Sequence, residues 1–576
     1  GPGVSLRAPV DGLHYCALFI QSNESMGATG AMPITNALKK ARHSVLALDS
    51  DARIHSAGVT LISEEAASTA SSEATLIGSI SAVAILLLVI LFFAQLTPVL
   101  ITLTALAASL LFASACVVNL FGEIHILTLV FGATLLGICV DYVFHMLCAT
   151  ATGLSGSQAK AKLFQPLSLS LLTTCIGYAV MAFSPMPGLR QMAVFCITGL
   201  FAAYVNVLFV ASHYMSAAQP TRTATAFARG FARLPRINGT NKTIFIAALL
   251  IASTVGILQL KTQNELALLN RIPAELMSDV QFVGRALSPA SPGQLFVIQG
   301  SDSESVLQRN ETLQKRLAQL TADGIISMSP NPAALLPSQK SQRQAQALTT
   351  EANRRALELT EKTLESDFPA PIESGVLLTP EIFKRIAPAS LTRFWLSDTS
   401  LLVPLSGVTA ESLPYLQKLA SEVKGVRFVN TTAEVAESLA TYRNGVLYTL
   451  LFALGVIAVI LALGLGRRFL HFWMPTALSI VLTLGVCGFA GMPFSLFSVL
   501  PLLLVVGLGV DYAIILYSEA NPIAARNSVF LAASSTLLAF GLLAFSSTPA
   551  LHIFGLTLLI AMASVLLTTV LLRPET

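Results

Sequence analysis

The sequence predicts a polytopic α-helical membrane protein made of two repeated halves, with α+β subdomains outside the membrane. Three observations carry that prediction. The first is composition: 576 residues with 54% hydrophobic and 11% charged letters and a mean hydropathy of +0.71. An ordinary soluble chain carries about 25% charged residues. The second is a series of charge-free stretches, each long enough to cross a bilayer. The third is a sequence block that occurs twice. The net charge of +4 is too small and too dispersed for a nucleic-acid surface, and the apolar content excludes disorder over most of the length. Cys116, Cys139, Cys148, Cys175, Cys196 and Cys487 lie inside hydrophobic runs and only Cys16 lies outside one. Neither a disulfide framework nor a CxxC metal site can be built from that arrangement, so no metal and no cofactor is expected.

A helix needs about 20 apolar residues to cross a hydrocarbon core about 30 Å thick. No Asp, Glu, Lys or Arg occurs in the 49 residues from Ala74 to Gly122. That length gives two spans, with a break near Gln95-Leu96-Thr97-Pro98, where a proline can open a helix. Residues 124–149 carry one acid, Asp141. Further spans read at 165–184, 191–212, 243–260, 444–465, 471–490, 495–518, 527–547 and 551–572, for eleven in all.

Residues 261–443 differ in character, because these 183 positions hold 37 of the chain's 66 charged residues. Leu295-Phe296-Val297-Ile298, Leu401-Leu402-Val403 and Val426-Arg427-Phe428-Val429 read as strands. Residues 302–320, 339–366 and 410–423 have the spacing of surface helices. The alternation predicts a compact α+β domain. The first 73 residues read similarly, with Leu13 to Ile20 strand-like and Ala66 onward entering the first span as one long helix. The expected domains are therefore 1–73 and 261–443 outside the membrane, 74–212, 243–260 and 444–576 within it, and a basic loop at 213–242.

Basic residues in short loops stay on the cytoplasmic side. The 213–242 loop holds Arg222, Arg229, Arg233, Arg236 and Lys242 without an acid, and Lys160, Lys162, Arg467, Arg468, Arg526 and Arg573 fall on the same side. The opposite short loops hold only Arg190. Both charged segments are thus expected outside the cytoplasm, with the C-terminus inside.

Gly137-Ile138-Cys139-Val140-Asp141-Tyr142 recurs as Gly507-Leu508-Gly509-Val510-Asp511-Tyr512. Ala182-Phe183-Ser184 with Pro187 and Leu189 recurs as Ala544-Phe545-Ser546 with Pro549 and Leu551. Both blocks run in the same direction, which marks a parallel duplication. The second half reads as one helix, a long insert and five helices, whereas the first has a short insert and no leading helix. With the opening Gly1-Pro2-Gly3, this predicts a piece of a longer protein that retains eleven of twelve spans.

Asp141 and Asp511 are the acids placed at the middle of membrane spans. A carboxylate there costs at least ~2.5 to 3.5 kcal/mol on insertion scales, so it is retained for a partner or a task. Each is followed by a tyrosine, Tyr142 and Tyr512. Burial and hydrogen bonding shift a carboxyl's proton affinity in opposite directions, which suits a group that loads and releases protons. The four residues read as a proton relay; the plainer reading is a pair of neutral acids that join helices. Gly137 and Gly507 lie one turn before their aspartates and let helices approach closely, with or without a role in bringing the acids together. His145, on the face of Asp141, either extends the relay or is a core histidine; its counterpart is Ile515. Thr174 and Thr536 match across the repeat and either bond the aspartates or bond their own helix backbones. No Walker loop, GxGxxG, HExxH or GxSxG is present.

The parallel duplication, the insert after the first helix of a half, and the Gly-x-x-x-Asp-Tyr blocks at 137–142 and 507–512 resemble the RND superfamily of proton-driven exporters. The Asp-Tyr pairs and short inserts are most similar to its MMPL branch. The resemblance covers essentially the whole chain. It implies duplicated six-helix halves with extracytoplasmic porter subdomains, in which the fourth and tenth helices pack side by side. Asp141 would then lie near Tyr512 and Asp511 near Tyr142. It further implies proton-driven export of a lipid or other amphiphile from a bacterial inner membrane. Its expected partners are protons, a lipid-like substrate and the surrounding lipids, with no nucleic acid, acting as a monomer or else a trimer. The first insert is shorter than the family's, and the second is too short to dock an outer-membrane channel. Two other readings use the same residues. An intramembrane aspartyl protease needs a Gly-x-Gly-Asp order that Gly507-Leu508-Gly509-Val510-Asp511 exceeds by one residue. A lipid-binding or sterol-sensing-like scaffold would hold lipid without pumping it.

Overall fold

The structure is a computed structural model that describes residues 8–10, 13–15, 32–49, 51–183, 186–215, 221, 237, 240–263, 273–287, 290–326, 335–364, 375–387, 392, 394–518 and 522–573. Cys16, Ser184, residues 16–20 and the arginines of the basic loop lie outside the described residues. The helices in chain order are α1 (Met32–Leu48), α2 (Val59–Phe93), α3 (Leu96–Phe121), α4 (Ile126–Thr150), α5 (Gly156–Met181), α6 (Pro187–Val205), α7 (Thr240–Ile257), α8 (Ala274–Leu287) and α9 (Ser303–Ala322). They continue with α10 (Gln339–Leu364), α11 (Pro380–Ile386), α12 (Leu413–Glu422), α13 (Thr431–Leu465), α14 (Phe469–Phe489), α15 (Leu496–Ser518), α16 (Pro522–Gly541) and α17 (Pro549–Leu571).

Residues 1–62 and 273–435 form one compact unit, and residues 63–272 and 436–576 the other. The two charged segments thus fall in a single unit. The strands are β1 (Ala8–Val10), β2 (Leu13–Tyr15), β3 (Lys261–Thr262), β4 (Ala290–Gln299), β5 (Trp395–Ser397), β6 (Ser400–Ser406), β7 (Val426–Asn430) and β8 (Pro493–Phe494). In the charged unit β4–β7 form a four-stranded antiparallel sheet of order β5-β6-β4-β7. Phe296 pairs with Val403 and Phe428, and Ile298 with Leu401 and Val426. Side chains alternate along a strand, so Phe296 and Ile298 fall on one face, where they are buried with Leu401, Val403 and Leu405. Helix α9 covers that face with Val306, Leu313 and Leu317. It starts at Asp302, whose carboxylate accepts from Ser305 N at 2.7 Å, an N-cap worth about 1 kcal/mol.

Among the described residues, eight helical segments are long and apolar enough to cross a membrane, and the chain is a multi-pass membrane protein. One segment, Thr431–Phe489, spans 59 residues and contains both α13 and α14. Gly137–Thr150 within α4 and Asn241–Ile257 within α7 are shorter apolar helices. Where they are described, the charge-poor stretches read from the sequence fall mostly on helices, while a stricter length and hydropathy criterion selects eight segments. The break between α2 and α3 lies at Ala94, which adopts φ 47°; Pro98 sits in the first turn of α3, where its missing N–H breaks no helical bond. Helix α3 closes on Gly122 at φ 80°, and the α14 turn passes through Gly491 at φ 64°, left-handed positions that favour glycine.

Helix pairings recur in matched form. Helix α3 packs on α6 as α14 packs on α17, α4 on α6 as α15 on α17, α3 on α4 as α14 on α15, and α4 on α16 as α15 on α5. The last pair crosses between the halves. Most spans bury between 28% and 67% of their central residues, but α15 buries 94%. Helix α4 is likewise buried at every position from 137 to 150. A helix apolar on all faces belongs in the interior, and these two are the helices that carry Asp141 and Asp511.

Candidate functional site

Asp141 and Asp511 are both buried, each 8% exposed. The glycine one turn earlier sets what each acid meets. A Cβ added at Gly137 would lie 2.7 Å from Ala539 Cβ and 3.1 Å from the Ser535 carbonyl oxygen. One added at Gly507 would lie 2.8 Å from Thr174 Cα. Both glycines thus admit a backbone of the opposite half: α16 against α4, and α5 against α15. At that separation short hydroxyl side chains reach the carboxyls. Ser535 Oγ lies 3.0 Å from Asp141 Oδ1, sharing its proton with the Ala532 carbonyl at 2.8 Å. Thr174 Oγ1 donates to Asp511 Oδ2 at 2.7 Å and Thr173 Oγ1 to Oδ1 at 3.2 Å.

Asp511 is close enough to act through its charge on Asp141 and Tyr142, and Asp141 acts likewise on Tyr512. The ring of Tyr142 meets Tyr204 edge-on at 5.9 Å. Tyr512 is among the largest fully buried side chains. Its hydroxyl and that of Thr536 are near each other but not in hydrogen-bond geometry, and neither has a partner among the described residues.

Each acid-bearing helix packs closely on the hydroxyl-bearing helix of the other half, because the glycines open α4 towards α16 and α15 towards α5. One expectation changes. Of the matched threonines, Thr174 bonds an aspartate and Thr536 does not. Successive residues turn by about 100° on a helix, and α16 presents Ser535 to Asp141 instead. Ser535 and Thr173 are the hydroxyls that matching the threonines alone does not single out. The signal for them was available, since the offset that aligns Thr174 with Thr536 also aligns Thr173 with Ser535. His145 is buried and its Nδ1 has no partner among the described residues.

Among the described residues neither aspartate is in an ion pair, and no group of three or more His, Cys, Asp or Glu is placed to hold a metal. The acids are instead held by hydroxyls. A hydroxyl donates to a carboxylate and accepts from a carboxylic acid, so the network is satisfied with the proton on or off.

Fold and site together define a multi-pass membrane protein with two interior carboxyl groups, each tied by hydroxyls to the opposite half. No family model matches the chain, and no curated protein matches it. Among solved structures, it is similar to the crystal structure of SecDF, a translocon-associated membrane protein, from Thermus thermophilus. The TM-score is 0.48 at 15% sequence identity, over 87% of this chain and 61% of that one. The chain thus spans less than two thirds of that protein's length.

Proposed function

We propose that this chain is a proton-driven exporter that moves a lipid or other hydrophobic or amphiphilic molecule out of the inner membrane. Asp141, Tyr142, Asp511 and Tyr512 form its proton relay. The observation that supports this reading best is that each acid is bonded by a hydroxyl from the other half. When Asp141 is ionised, Ser535 donates to it. When Asp141 takes a proton, the hydroxyl is free to turn wholly to the Ala532 carbonyl. Each change of protonation therefore alters a contact between the halves, and alternating loading of the two acids rocks one half against the other. The paired Asp-Tyr blocks resembling the RND exporters point the same way.

The energetics limit how cargo moves. A proton crossing about 150 mV supplies ~3.5 kcal/mol. Exposing an acyl chain to water costs about 0.8 kcal/mol per CH2, or ~13 kcal/mol for sixteen carbons. One proton cannot drive such a chain through water, so the cargo keeps apolar surroundings along its route.

The test is export of fluorescent lipid by the complete protein in vesicles under an imposed proton gradient. Asp141→Asn and Asp511→Asn are each expected to abolish gradient-driven export while helix content and membrane insertion stay unchanged. Undiminished export by both single variants overturns the relay. Lipid binding with no response to the gradient supports the scaffold reading instead.

A further inference from the structure

The two acids sit at matched positions, but their surroundings towards the end where α4 finishes are not alike. Gly137 meets Ala539 and Ser535, and Asp141 meets Ser535, so α4 and α16 run antiparallel. Carried one turn further, that register sets His145 level with residues numbered about 527 to 531 on α16. Asn527 lies in this stretch. His145 is 5% and Asn527 7% exposed. Both His145 Nδ1 and Asn527 Oδ1 are buried without a hydrogen-bond partner among the described residues. Buried polar atoms are almost always bonded. Two orphans at about one level of two packed helices, a turn or two beyond a carboxyl, are what water bridging polar groups satisfies.

The matching interface between α15 and α5 lacks this pair. Ile515, buried, replaces His145, and Gln165, the counterpart of Asn527, is exposed. Asp511 also has hydroxyl donors on both carboxyl oxygens, while among the described residues Asp141 has a hydroxyl donor on one.

We infer that a short water chain, held by His145 and Asn527, enters the α4–α16 interface, and that protons from that end of the bundle reach the acid pair through Asp141 alone. Asp511 receives them from Asp141 across the centre. His145 and Asn527 are positioning residues on this path. The inference rests on the relay reading but needs no cargo for its test.

The experiment is charge displacement in the reconstituted full chain on a solid-supported membrane, after a pH jump applied to one side of vesicles of known orientation. With a jump on the side where α4 ends, His145→Leu is expected to slow the displacement about a hundredfold, the lower end of what a positioned proton-transfer group contributes. Asn527→Leu should slow it as well, and His145→Gln, which keeps a polar side chain, should restore most of the rate. Asp141→Asn should abolish displacement from this side, and jumps on the opposite side should be unaffected by His145→Leu. Wild-type rates in both His145→Leu and Asn527→Leu, or displacement surviving Asp141→Asn, overturn the inference alone. Absence of any displacement in the wild-type chain overturns the relay reading with it. If His145→Leu fails to fold, as read by circular dichroism and elution, Asn527→Leu and Asp141→Asn decide.

Discussion

Ser535 on α16 donates to Asp141 on α4 at 3.0 Å, and its repeat counterpart Thr173 donates to Asp511 on α15 at 3.2 Å. The hydroxyl that holds each acid thus comes from the half that does not contain it. A proton added to either acid is felt first at a contact between halves, where motion of one against the other is decided.

Removing these hydroxyls separates residues that sequence matching treats as equal. A hydrogen bond to a charged group contributes about 1.5 to 3 kcal/mol. Thr174→Val is therefore expected to slow proton-driven transport at least tenfold, and Ser535→Ala comparably. Thr536→Val, whose hydroxyl has no partner among the described residues, should leave transport within about twofold. Initial transport rates in vesicles read the difference.

The two glycines should respond differently to the same change. Overpacking of this kind costs about 1 to 3 kcal/mol, so Gly137→Ala and Gly507→Ala should both lower the melting temperature in detergent. The nearest atom to a Cβ at Gly137 is Ala539 Cβ, and Ala539→Gly should restore stability. At Gly507 the nearest atom is the backbone Thr174 Cα, which no side-chain change relieves.

Glu73 on α2 accepts hydrogen bonds from the Ser546 hydroxyl, from the hydroxyl and N–H of Ser547, and from the Thr548 hydroxyl. It fastens that helix to the start of α17. Glu73→Ala strands these donors, a loss of about 1 to 3 kcal/mol if they are kept from water. Hydrogen exchange across residues 546–552 should accelerate, while exchange in α4 and α15 stays unchanged.

In the charged unit, partial burial works against the charge of Glu304. Hydrogen bonds from Gln308 and from the backbone of Gln339 and Lys340 outweigh it and hold the carboxyl below its usual range. Its folded value is the lower one, so its stabilisation is complete above the unfolded value of about 4.3. That stabilisation is lost as pH falls through the folded value. Amide protection in the first turn of α10 should therefore weaken on acidification below about pH 4.3. Glu304→Gln should reduce protection at pH 7 and flatten the pH response.

Much of this was legible in the sequence. Asp141, Asp511 and the glycines before them emerged from a repeated block. The strands at 290–299, 400–406 and 426–430 emerged from short apolar runs, and the helices from the absence of charge. Those signals are local, because each residue is sorted by whether it meets water, lipid or protein. The alignment of Thr173 with Ser535 was also in the sequence, but the choice of Ser535 over Thr536 at Asp141, the orphaned Nδ1 of His145 and the gathering of 1–62 with 273–435 had no such trace. They depend on how far one helix is rotated against another that is distant in sequence, and small residues on both faces set that rotation. A turn of about 100° separates neighbouring positions on a helix, so the chain alone determined which chemical groups enter the bilayer interior, and the packed tertiary structure decided which of them meet.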